Sequence, residues 1–118
     1  MALNYMRKLT MRTHQEIDAR TLALHQLVAQ RIRQNPALFD KAKSTLARWR
    51  QSVCISSQPY LVEWELLMSQ GIEECLALAV EDSERATALR QSSPFAGLLT
   101  NQDRFAFLKK WSLDHAAP

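Results

Sequence analysis

The sequence predicts an all-α protein, a single compact domain of five or six helices, and three observations carry that prediction. The 118-residue chain is 47% hydrophobic with only two glycines, a composition that suits helices and leaves few turn residues for an all-β fold. Apolar residues recur at helical spacing, as in Ile17, Thr21, Leu24, Val28 and Ile32. Stop and start signals punctuate these stretches at Asn35-Pro36, Pro59, Gly71, Glu81-Asp82-Ser83 and Ser93-Pro94. A chain of this length builds one core and is too short for two.

Residues 1–12 place Tyr5, Met6, Leu9 and Met11 among Arg7, Lys8 and Arg12. They read as a flexible arm outside a helical domain spanning 13–113. Thr13-His14-Gln15-Glu16 has the pattern of a capping box, which predicts that the first helix starts there. Arg31 and Arg33 lie in its last turn, where the helix dipole favours cations. Asn35-Pro36 is a stop followed at once by a start, since Asn caps and Pro suits a first helical position. The second helix carries Leu38, Phe39, Ala42, Leu46 and Trp49 on one side, and the short connection predicts an antiparallel hairpin.

Residues 51–58 form a linker, with Val53, Cys54 and Ile55 as an extended rung or an inward-packed loop. Pro59 opens a third helix bearing Tyr60, Leu61, Trp64, Leu67 and Met68, and Gly71 ends or bends it. Ile72, Cys75, Leu76, Ala79 and Val80 continue the helical spacing. Ser83 caps a short helix over 84–90, with Ala86 and Leu89 facing inward.

The stretch 92–111, SSPFAGLLTNQDRFAFLKKW, predicts how the chain shuts. Pro94 stops the preceding helix, and Phe95, Leu98 and Leu99 make a loop too apolar to leave in water. Thr100 caps a closing helix over 101–113, with Asp103 near its positive end. The expected core includes Ile17, Leu24, Val28, Leu46, Trp49, Leu61, Trp64, Leu76, Leu89, Phe95 and Leu108.

No apolar run approaches the roughly 20 residues that span a bilayer. The N-terminus has no apolar signal region, so a cytoplasmic protein is expected. Cys54 and Cys75 show no metal or redox spacing; buried reduced thiols are expected, with a single disulfide as the alternative. The residues also argue against an enzyme, a metal site and a cofactor. His14, His25 and His115 are far apart, and none of the familiar catalytic or phosphate-binding motifs occurs. His14 and Asp18 have ligand spacing, but at a helix start they read as a cap pair. Ser92-Ser93 looks nucleophilic only if a base is placed beside it, and nothing in the sequence does so.

Two binding surfaces remain. From Met1 to Pro59 there are ten Lys/Arg against three Asp/Glu, and from Tyr60 to Pro118 five against nine. Arg31, Arg33, Lys41, Lys43, Arg48 and Arg50 all come from the first hairpin, so a shared basic face for nucleic acid is one candidate. A solvated surface facing the chain's own acidic half is the other explanation of that asymmetry. The second helix lacks a clean polar reading face for bases. The second candidate surface, for a protein partner, is Tyr60, Glu63 and Trp64 with the carboxylates Glu81 and Glu84, since aromatic anchors dominate interface energetics.

The elements Arg48-Trp49-Arg50, Pro59-Tyr60-Leu61-x-Glu63-Trp64, Glu81-Asp82-Ser83-Glu84-Arg85 and Leu89-Arg90-Gln91-Ser92-Ser93-Pro94-Phe95-Ala96-Gly97 resemble, in order and spacing, a family of small bacterial helical proteins. Its members resemble accessory or antitoxin components of toxin–antitoxin loci. The resemblance implies a non-enzymatic interaction protein that neutralises a toxin by occlusion, the partner being the product of an adjacent gene. It implies no defined site. Longer relatives would add a DNA-binding part that is not expected in these residues, so the resemblance implies the protein-binding half of the role.

Overall fold

The computed structural model describes residues 2–52 and 55–115, with side chains from Gln15 onward. Six α-helices follow in order: α1 Ala2–Gln34, α2 Ala37–Ser52, α3 Gln58–Ser69, α4 Ile72–Ala79, α5 Glu84–Arg90 and α6 Asn101–Asp114, with a 3-10 turn at Ile55–Ser57. Among the described residues there is no strand, and no helix is long and apolar enough to cross a membrane. The all-α expectation is met.

Most boundaries fall where local chemistry puts them. Asn35-Pro36 separates α1 from α2. Pro59 sits in the first turn of α3, where its missing N–H has no helical partner to lose. Gly71 separates α3 from α4 with φ of 119°, a backbone conformation that L side chains rarely adopt. Ser83 Oγ accepts from the Ala86 N–H at 3.1 Å and caps α5. Thr100 Oγ1 accepts from the Asp103 N–H at 3.1 Å and caps α6.

One boundary differs. α1 starts at Ala2 and runs unbroken through Thr13, so the capping-box pattern lies inside a helix instead of opening one. The reason is that residues 2–12 contain no Gly or Pro and are rich in Ala, Leu, Met, Lys and Arg, which are strong helix formers. Backbone continuity therefore wins over a local cap.

The core sits where α2 and α3 pack on each other and where α1 crosses α4 and α5. Trp64 is at its centre with no exposed surface. Its indole Nε1–H donates to the Leu89 carbonyl at 2.9 Å, so the one polar atom of the ring is satisfied in the interior. Phe95 meets that ring edge-on at 5.4 Å and stacks on Phe39 at 6.3 Å. The 94–95 turn is therefore a buried plug that joins α2, α3 and α5, as its apolar sequence predicts.

Arg90 is buried as well. Its Nη1 donates to the carbonyls of Ala79 and Glu81, at 3.1 and 2.8 Å, and its Nη2 to Thr87 Oγ1 at 3.3 Å. It thereby satisfies backbone oxygens at the end of α4 that the helix leaves without partners.

α6 is the exception to this packing. It has no fully buried residue, so Leu108 is half-buried rather than core. Ile17, also expected in the core, is 41% exposed. Both lie where α6 passes the N-terminal part of α1 and leaves a cleft instead of a packed seam. Leu24 and Trp49 are half-buried at the core's edge. Ile55 is 87% exposed, so the linker is not packed inward at that residue, while Val53 and Cys54 lie outside the described residues. Cys75 is a buried free thiol, and burial pushes its pKa up to about 12.

Candidate functional site

The fold answers part of the charge asymmetry of the sequence with ion pairs. Arg31 pairs with Asp103 at 3.4 Å, Arg33 with Glu73 at 3.4 Å and Arg50 with Glu65 at 2.8 Å. Each joins the basic first half of the chain to the acidic second half. The six basic residues expected to form a nucleic-acid face are therefore divided. Arg31, Arg33 and Arg50 are tied to carboxylates, and Arg50 also donates to Gln58. Lys41, Lys43 and Arg48 remain exposed on α2, with Lys43 Nζ over its own helix neighbour Phe39 at 5.2 Å. A continuous stripe of six free cations does not form.

The expected partner surface on α3 is also divided. Tyr60 is 41% exposed at the start of α3, but Trp64 is wholly buried. The stripe that carries Leu61, Leu67 and Met68 takes Trp64 into the core with it. Glu63 is half-buried and pairs with Arg85 at 3.5 Å. Glu81 accepts from Ser83 Oγ at 2.6 Å, and Glu84 is exposed at the start of α5. The aromatic pair expected on the surface is thus reduced to Tyr60.

Where sequence placed no base near Ser93, the structure does. His25 Nδ1 lies 2.8 Å from the Thr21 carbonyl, which can only accept, so Nδ1 carries the proton. Nε2 then accepts from Ser93 Oγ at 2.7 Å. Burial lowers the His25 pKa; the Thr21 carbonyl opposes that and Arg90 adds to it, so the ring is held neutral. The pair has the ingredients of an activated hydroxyl. Yet Ser93 is only 4% exposed, and its Oγ also accepts from the Phe95 N–H at 3.0 Å. Both oxygen functions are used to clamp the plug to α1. This is a latch in the core, and 68 residues of sequence separation hide it from any local reading.

A cleft of about 580 Å³ opens between α1, α5 and α6. Leu24, Phe107 and Leu108 supply its apolar lining, and Arg20, Arg90 and Arg104 its cations, with Asp18 beside them. Arg104 Nη2 donates to the Ala96 carbonyl at 2.6 Å, which fixes α6 against the plug. A second hollow of about 290 Å³ shares Ile17 and Arg20 with the first and ends at Trp111 and His115. The sequence carries one hint of the cleft, a charged residue at the end of the short inward-facing stripe Ala86, Leu89, Arg90.

The outer side of α6 carries two large apolar side chains among its polar ones. Phe105 is 72% exposed and Leu113 71%. At about 3.6 residues per turn, Phe105, Ala106, Phe107, Leu108, Trp111 and Leu113 fall on all sides of the helix. Its aromatic rings meet mainly each other: Trp111 stacks on His115 at 3.6 Å and on Phe107 at 6.2 Å. Among the described residues no three metal-ligating side chains come together, and the side chain of His14 lies outside the described residues.

No protein-family model, no curated protein and no solved structure matches this chain.

Proposed function

We infer that the chain is a non-enzymatic, cytoplasmic protein-interaction module whose α6 is completed by a partner protein. The observation that carries this reading is the pair of large apolar side chains, Phe105 and Leu113, that α6 leaves exposed. α6 packs through the side facing α1 and α5, where Phe107, Leu108 and Trp111 are half-buried. Phe105 and Leu113 stand more than two-thirds exposed on the other. Burying two such side chains contributes about 1.5–3 kcal/mol each, enough to anchor an interface around them.

The surface differs from the Tyr60–Trp64 site expected from sequence. The role stays the same, and the resemblance to antitoxin components gives it a specific form: a toxin from a neighbouring gene, neutralised by occlusion. The shuttered state of the Ser93–His25 pair supports the non-enzymatic part of the reading. The nucleic-acid alternative rests on Lys41, Lys43 and Arg48 alone, because Arg31, Arg33 and Arg50 are already occupied.

The test is affinity capture from the native host after nuclease treatment and a high-salt wash, with the native chain and a Phe105→Glu/Leu113→Glu variant side by side. The reading predicts one stoichiometric protein with the native chain and its loss with the variant. Retention of the same protein by both, or of nucleic acid alone when nuclease and salt are omitted, contradicts it.

A further inference from the structure

The α1–α5–α6 cleft stands apart in the state of its arginines. Arg31, Arg33, Arg50 and Arg85 each sit in an ion pair. Arg20, Arg48, Arg90 and Arg104 have no carboxylate in ion-pair contact among the described residues, and all of these but Arg48 line this one cleft. Asp18 is the single carboxylate in its lining. Guanidinium groups in such excess, set beside apolar walls, attract an anion more strongly than the same groups would in open water.

The donors of Arg20 and Arg104 are also largely free to act. A guanidinium has five N–H donors. Arg104 gives one hydrogen bond to the Ala96 carbonyl, which aims the group while leaving most of its fork unused. Arg20 donates to no protein acceptor among the described residues. Arg90 is held behind them by three acceptors, and Asp82, Asp18 and Glu81 lie near enough to offset part of its charge, which leaves Arg104 and Arg20 as the groups that meet an anion.

We propose that this cleft binds a small amphipathic anion: an apolar chain or ring bearing one carboxylate. Arg104 and Arg20 receive the head group, whose two oxygens match the guanidinium fork. The apolar part lies against Leu24, Phe107 and Leu108. The volume of about 580 Å³ is that of a small-molecule site, and the adjoining hollow ending at Trp111 gives a longer tail somewhere to run. This site uses the inner side of α6. The partner surface uses the outer side, so neither reading depends on the other.

The experiment is calorimetric titration of the full chain with decanoate and with decanol, both below their aggregation limits. Saturable one-to-one binding of decanoate is expected, with decanol about tenfold weaker or worse. Arg104→Gln and Arg20→Gln should each weaken decanoate by about tenfold, while Arg48→Gln, outside the cleft, leaves it unchanged. Circular dichroism of each variant verifies folding, and Arg20 is exposed enough that its removal leaves the core untouched. Equal binding of decanol, indifference to Arg20→Gln, or no binding of decanoate would each overturn the proposal. So would retention on anionic vesicles without one-to-one binding of the free acid, since the site would then belong to a membrane surface.

Discussion

Two tryptophans mark two differently built regions. Trp64 has neighbours from distant parts of the chain: Leu89 on α5 takes its N–H, and Phe95 from the plug meets its ring edge-on. Trp111 stacks on Phe107 of its own helix and on His115, which caps that helix. The first region is a finished core. In the second, α6 touches the rest of the protein through a few links, chiefly Arg31 to Asp103 and Arg104 to the Ala96 carbonyl. Equal aromatic content thus gives unequal cohesion, because packing stabilises only when surfaces from different elements close over one another.

Mutations should separate the regions by size of effect. Trp64→Ala removes the centre of the core and leaves the Leu89 carbonyl without its partner. A loss of about 3–5 kcal/mol is expected in denaturant unfolding. A loss within ~0.5 kcal/mol would mean that the core is no tighter than the α6 seam.

Ser93→Ala comes next. It leaves both His25 Nε2 and the Phe95 N–H without a partner in the interior, and about 1–3 kcal/mol should be lost. The same latch makes stability depend on pH. The folded pKa of His25 lies below its ordinary value of 6.5, so near that pH the unfolded chain binds the proton more readily. Stability is therefore full above pH 6.5 and falls as pH drops below it, toward the folded pKa. His25→Gln should flatten that part of a pH series of unfolding midpoints. An unchanged slope would remove His25 from the account.

Gly71→Ala forces a side chain into a φ of 119°. No atom lies within 4 Å of the added Cβ, so the cost is backbone strain alone, about 1 kcal/mol. Smaller still, Asp103→Asn loosens the partly exposed pair that ties α6 to α1, worth about 0.2–1 kcal/mol.

How much was legible in the sequence follows the same division. Pro59, Gly71, Ser83 and Pro94 act on their immediate neighbours, so the limits of α3 to α5 and the plug could be read directly. The start of α1 could not, because a capping box marks a helix start only where the preceding residues fail to be helical, and residues 2–12 are good formers. Trp64 is expected both in the core and on the candidate partner surface, because periodicity names a face without saying what covers it; the structure meets the first expectation and overturns the second. The charge asymmetry was visible; its partial internal resolution through Arg31, Arg33 and Arg50 was not, since those partners lie far along the chain. The α1–α5–α6 cleft had least warning, being assembled from three helices at residues that each look ordinary alone.

Amide hydrogen exchange on the isolated chain, resolved by residue, tests most directly the claim that α6 is an incompletely covered helix. The account predicts that amides of 105–113 exchange through local opening at a free energy well below that of 61–68 and 86–89, which should open only with the whole fold. Equal protection of α6 and α3 would contradict it, because a helix that opens only with global unfolding needs no partner to complete it.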